Sequence, residues 1–95
     1  MANEKERLVN LVKEIAEDQL ESVMKRLGVE DTPENRNDIL ALALNKLPAK
    51  YVTSGSGKAY VGMVENLRAQ YEIDVLSSLT KAAITVKNKP RGYGR

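Results

Sequence analysis

Apolar residues recur at helical spacing along most of this chain. In residues 4–27, Leu8, Leu11, Val12, Ile15, Leu20, Val23, Met24 and Leu27 step by three or four, and Val9 and Ala16 widen the stripe. The spacing predicts an amphipathic helix. Asn3 stands where an N-cap would, with Glu6 three positions on as its capping-box partner. Gly28 is a natural stop, since it takes the left-handed conformation at no steric cost. A stripe this broad predicts contact with more than one neighbouring helix.

A second helix opens after a short loop at 29–32. Thr32 is its N-cap, Pro33 takes the first helical position and Glu34 sits in the first turn. The run Ile39-Leu40-Ala41-Leu42-Ala43-Leu44 is apolar on nearly every side. That predicts a central helix buried all round. It ends near Lys46, because Pro48 disfavours helical geometry at Leu47. Tyr51-Val52-Thr53 suits a brief extended segment, and Ser54-Gly55-Ser56-Gly57 a loop. Gly57-Lys58 resembles the end of a phosphate loop, but the motif fails. Val52 occupies the position of its first glycine, and Ala59 follows the lysine where Ser or Thr is needed.

From about residue 59 to 88 the period is helical again, through Tyr60, Val64, Leu67, Tyr71, Val75, Leu79, Ala82 and Val86. One long helix is predicted, with a bend allowed at Tyr71-Glu72. Thirty residues span roughly 45 Å. That is longer than a compact monomer of this size is wide, so part of the helix should pack on a second chain. Pro90 ends it. The tail at 87–95 is basic and Gly-rich, and reads first as a solvated terminus, second as an arm for an anionic ligand. The pattern as a whole predicts an all-α fold in one domain over 1–95. It is a small helical domain with a long C-terminal helix, paired as an intertwined homodimer.

Composition narrows the chemistry. The 95 residues contain no Cys, His, Trp or Phe. A disulfide framework, a Cys/His zinc site, a cysteine nucleophile and a Ser-His-Asp triad are excluded. No carboxylate pair stands out as an acid/base couple, and the expectation is that the protein is not an enzyme. The first twenty residues are too charged for a secretory signal, and no apolar run approaches the length of a membrane span. A cytoplasmic location is expected.

Charge is uneven. Residues 1–38 hold six basic and ten acidic side chains, and residues 39–95 hold nine basic and three acidic. A basic half attracts phosphate; equally, two oppositely charged halves can pair in a dimer. A net charge of +2 with four tyrosines as the only aromatics is weak for nucleic-acid binding.

Three constellations carry candidate chemistry. Arg36-Asn37-Asp38 opens the second helix, where backbone N–H groups favour anions. Arg36 offers a planar fork for phosphate or a guanine edge, and Asp38 accepts from a base amine. Taken alone, the triplet is better explained by Asp38 answering the helix dipole and Arg36 facing solvent. Next, Asn45, Lys46, Lys50 and Tyr51 gather an amide, two cations and a flat ring around one turn. Against this, Asn45 suits a helix C-cap and Tyr51 suits a core. Finally, Gln70 and Asp74 stand at i, i+4, a spacing more often seen in exposed pairs. Arg68 and Arg91 are further cations.

The stretch from Arg36-Asn37-Asp38-Ile39 through Asn45-Lys46-Leu47-Pro48-Ala49-Lys50-Tyr51-Val52 resembles the core signature of the late competence protein ComFB family. Gln70-Tyr71-Glu72-Ile73-Asp74-Val75-Leu76 and Val86-Lys87-Asn88-Lys89-Pro90-Arg91 resemble its C-terminal half. The resemblance covers roughly residues 5–91 and departs at Ala49, where many members repeat the proline. It implies a small, helical, dimeric, cytoplasmic protein. Some members carry cysteines before the Asp of the first motif and are thought to hold zinc. Thr32 and Asn35 stand in that region here, so no metal is carried over. The cysteine-free branch implies a receptor for the cyclic dinucleotides cyclic di-GMP or cyclic di-AMP. It would signal through an unknown protein effector, such as a transcription regulator. The ligand-binding set on that reading is Arg36, Asn37, Asp38, Asn45, Lys50, Tyr51 and Arg91. Arg and Asp suit guanine and Asn suits adenine, so the base stays open. A ligand-independent helical adaptor and a weak nucleic-acid binder are the alternatives.

Overall fold

The computed structural model describes residues 8–53 and 58–88, with side chains from 62 onward in the second segment. Its elements are β1 (Leu8–Asn10), α1 (Leu11–Leu27), α2 (Pro33–Leu44), β2 (Tyr51–Thr53) and α3 (Lys58–Asn88). The helices form as the apolar spacing predicts. Thr32 Oγ1 accepts from the Asn35 backbone N–H at 3.1 Å, and Pro33 follows it. Gly28 ends α1 at φ 72°, with its N–H on Lys25 O and the next N–H, of Val29, on Met24 O. These bonds satisfy carbonyls that a helix end otherwise leaves open. Lys87 Nζ adds a further donor, 2.7 Å from Leu27 O. The last turn of α3 thereby holds the end of α1.

The start of α1 differs from the sequence expectation of a helix over 4–27. Residues 8–10 are extended, and Asn10 is the N-cap. Asn3 and Glu6 lie outside the described residues. The cause is a long-range pairing. β1 and β2 run antiparallel, with Leu8 opposite Thr53, Val9 opposite Val52 and Asn10 opposite Tyr51. Val52 is buried and Val9 packs against the core, while Leu8 and Tyr51 face outward. The brief extended segment expected at 51–53 is β2. The Ser54–Gly57 loop lies outside the described residues.

The core is the seam where α3 crosses α1 and α2. It is built from Leu11, Ile15, Leu20 and Met24 of α1, Ile39 and Ala43 of α2, and Val75, Leu79, Ala83 and Val86 of α3. α3 runs unbroken through Tyr71-Glu72 for 31 residues, about 46 Å by helical rise. Among its described side chains the fully buried ones begin at Val75; Val64, Leu67 and Tyr71 are half covered. The first half of this helix is therefore only partly covered within one chain.

The expectation that α2 is buried on all sides is corrected. Only Ile39 and Ala43 are buried; Leu40, Leu42 and Leu44 are half covered and Ala41 is exposed. Within one chain, α1 and α3 reach α2 from one side only.

Candidate functional site

The predicted ligand residues divide between the two ends of α2. At its start, Arg36 grips Asp31 in a two-pronged pair. Nε donates to Oδ1 at 2.6 Å and Nη2 donates to Oδ2 at 3.1 Å. This pair follows from the turn at 28–32. Asn35 Nδ2 donates to Glu30 O at 2.8 Å, and the Arg36 backbone N–H donates to Thr32 O. Asp31 is thereby folded back over the first turn of α2. The hydrogen bonds from Arg36 hold the Asp31 carboxyl below its ordinary pKa, against the opposing effect of desolvation. Arg36 is raised in return. Both side chains are open to solvent, at 38% and 52% exposure. Such an exposed pair adds little to stability. Asn37 is exposed beside it and Asp38 is half covered.

At the other end of α2, Asn45 is the C-cap, in the right-handed region; its N–H donates to Ala41 O and the next N–H, of Lys46, donates to Ala43 O. The plainer assignment for Asn45, a cap, is the one observed. Lys50 and Tyr51 follow. The Lys50 backbone N–H donates to Asn10 Oδ1 at 3.1 Å, and its carbonyl accepts from the Leu11 N–H at 2.7 Å. One bond to a side-chain oxygen and one between main chains thus fix this segment to the start of α1. Tyr51 is 59% exposed on β2. It is therefore not the core residue its ring alone would suggest. Nine residues separate Arg36 from Asn45, about 13 Å along the axis. One chain does not bring the two groups together. Arg91 lies outside the described residues. Arg68 pairs with Asp18 at 2.8 Å, between α3 and α1. Gln70 and Asp74 are exposed.

A separate concavity lies along the exposed side of α3. On the α2 side, a hollow of ≈ 360 Å³ is lined by Lys46, Leu47, Pro48, Asp74, Ser77, Ser78 and Lys81. On the α1 side, one of ≈ 410 Å³ is lined by Arg26, Ile73, Leu76, Ser77, Thr80 and Lys81. Ser77 and Lys81 belong to both. Ser78 Oγ donates to Ala43 O at 3.2 Å, which seats α2 against α3 here. Sequence reading singled out Lys46 and Asp74 but missed Arg26, Ser77 and Lys81. The signal was present: Asp74, Ser77, Ser78 and Lys81 at i, i+3, i+4 and i+7 mark one polar face of an amphipathic helix.

Among the described residues, no group of His, Cys, Asp or Glu is arranged to hold a metal. None of their helices is long and apolar enough to cross a membrane.

The fold and its exposed polar sites define a small helical protein whose described residues form three helices and a minor two-stranded antiparallel sheet. Over residues 3–90 the chain matches the family described as late competence development protein ComFB, and it belongs to that family. It also resembles the solved structure of the late competence protein ComFB from Bacillus subtilis. Identity is 27% over 92% of this chain and 96% of that one, with a TM-score of 0.69. No individually curated protein matches.

Proposed function

We propose that this chain is a receptor for a cyclic dinucleotide, cyclic di-GMP or cyclic di-AMP, which acts as a homodimer by ligand-dependent contact with a protein effector. The observation that carries the reading is Tyr51. Its ring stands 59% exposed on β2, beside Lys50, whose backbone is pinned on both sides. An exposed ring on a fixed element, with a cation next to it, suits stacking of a base whose phosphate lies close by. The family motif supplies the other polar groups. Its apolar members Ile39, Ala43 and Val52 build the core, while Arg36, Asn37, Asn45 and Tyr51 have solvent-facing side chains. A two-fold dimer would offer each group twice to a two-fold ligand. The half-covered leucines of α2 and the partly covered first half of α3 are surfaces available for pairing.

The test is a calorimetric titration with cyclic di-GMP and cyclic di-AMP, and with GTP as control. Micromolar or tighter binding near one ligand per dimer is expected, for one base or both. Absence of heat and of any thermal shift with either cyclic dinucleotide would leave a ligand-independent adaptor. The exposed apolar side chains Leu8, Ile73 and Ile84 favour that second reading.

The Arg36–Asp31 pair gives a further prediction. If Arg36 contacts the ligand, Asp31 competes with it. Asp31→Asn should then tighten binding by a factor of roughly 1.5 to 5, the range for exposed ion pairs. Arg36→Ala should weaken it. Equal affinity in both variants and the parent would remove Arg36 from the contact set.

A further inference from the structure

α3 carries a second stripe, on the side turned away from the core. Asn66, Gln70, Ile73, Ser77, Thr80 and Ile84 follow one another at alternating steps of four and three. That is the heptad spacing of a helix-pairing seam. None of the six is charged. All are exposed except Thr80, which is half covered. The two isoleucines stand 76% and 44% exposed, although a β-branched alkyl side chain gains nothing from water. Between them lie Ser77 and Thr80. The Thr80 hydroxyl donates to Leu76 O at 2.8 Å and is committed to its own helix. Ile73 to Ile84 spans about 16 Å by helical rise.

Two charges flank this stripe on one side. Asp74 and Lys81 are exposed, seven positions apart, and line the same hollow on the α2 side. Among the described residues the ion pairs formed are Lys13–Glu17, Arg36–Asp31 and Arg68–Asp18, so neither flanking charge has a partner in its own chain.

The pattern is complementary to itself. When two copies of α3 lie antiparallel about a two-fold axis between residues 78 and 79, Ile73 of each meets Ile84 of the other, and Ser77 meets Thr80. The same register sets Asp74 of each copy beside Lys81 of the other, twice. Shifting it by one heptad brings Lys81 against Lys81, or Asp74 against Asp74, and like charges oppose that register. In a parallel pair this flank faces Ala69, Leu76 and Ala83 of the other copy, and neither charge is answered. One orientation and one register therefore satisfy both the apolar and the charged positions. We propose that the outer stripe of α3 is the pairing surface for a second copy of this chain, antiparallel, with the Ile73–Ile84 and Asp74–Lys81 contacts each made twice. This inference rests on the homodimer in the reading above and supplies its face and register.

The experiment is sedimentation equilibrium on the full chain without ligand, on Ile73→Lys, on Asp74→Lys, on Lys81→Asp, and on an equimolar mixture of the last two. All three positions are exposed, so helix content by circular dichroism should be unchanged. Ile73→Lys is expected to raise the dimer dissociation constant about thirtyfold or more, as loss of a central contact does. Asp74→Lys and Lys81→Asp should each weaken self-association about fivefold or more, because each sets like charges across the seam, and the loss should shrink at high salt. Mixed together, these two variants should pair as tightly as the parent, since opposite charges then meet at both contacts. A change in the fold of one chain would not be repaired by mixing. If the parent is dimeric and Ile73→Lys pairs equally well, this face is excluded, the homodimer reading stands, and the stripe is left to a helix of another protein. If the two charge variants pair no better mixed than alone, the antiparallel register is wrong. A parent that stays monomeric overturns both the homodimer reading and this face.

Discussion

Truncation of Leu79 to alanine is expected to remove about 2–5 kcal/mol of unfolding free energy, the range for a leucine deleted from a packed core. Leu79 is wholly buried where α3 crosses the other two helices. Its nearest buried neighbours along α3 are Val75, Ala82 and Ala83. Two of them are alanines with no length to swing into the void. The wall opposite is made by side chains of α1 and α2, which are tied at their own ends by Gly28, Lys87 and Ser78. The cavity should therefore persist, and the cost should fall in the upper part of the range. A domain of this size has a total stability of only about 5–15 kcal/mol, so the variant should lose a large share of it. Urea unfolding measures this: the midpoint should drop while the slope stays constant. Ile73→Ala on the exposed side of α3 should change the stability of the monomeric chain by less than about 0.5 kcal/mol. A loss below about 1 kcal/mol for Leu79→Ala would show that the three-helix seam is not the chain's main source of stability.

Helix ends with local chemistry were legible in the sequence. Thr32-Pro33 opens α2, Gly28 closes α1, and Pro48 bounds the second helix, each by a constraint acting within a few residues. The start of α1 was not legible in this way. Leu8 and Val9 continue the helical period, yet they pair with residues 52 and 53. The preference for a strand there comes from a partner more than forty positions away, and no local pattern encodes it. The environment of α2 misled for a different reason. An all-round apolar helix must be covered, but composition does not say whether its own chain does the covering. Here one side is covered by α1 and α3, and the rest is left to whatever packs on Leu40, Leu42 and Leu44. The candidate site shows the same limit. Arg36 was legible as a cation at a helix start, whereas its capture by Asp31 depends on the turn at 28–32. Arg26, Lys46 and Lys81 are 20 and 35 positions apart in sequence. Only the packing of α1 and α2 on α3 brings them to one surface.

Replacement of Asn10 by alanine is expected to cost about 1–3 kcal/mol, more than an ordinary N-cap loss. Asn10 Oδ1 accepts two main-chain hydrogens, from Val12 at 3.2 Å and from Lys50 at 3.1 Å. The first bond caps α1, and a cap alone is worth about 0.5–2 kcal/mol. The second belongs to the part-buried N–H of Lys50 just before β2, which alanine would leave without its acceptor. One side chain thus joins the start of α1 to the segment that carries Lys50 and Tyr51. The two-stranded sheet has little stability of its own, so loss of this joint should loosen β2 more than it loosens the helical seam. Hydrogen exchange at Val52 and Thr53 should accelerate in Asn10→Ala beyond the change seen in α3. Asn10→Asp keeps an acceptor in place and should restore most of the stability. If Tyr51 stacks on a ligand base, Asn10→Ala should also weaken cyclic-dinucleotide binding, and Asn10→Asp should recover it. Equal stability of Asn10→Ala and the parent would mean that water replaces both bonds at no cost, and that β2 is held by its pairing with β1, the Leu11–Lys50 main-chain bond and Val52.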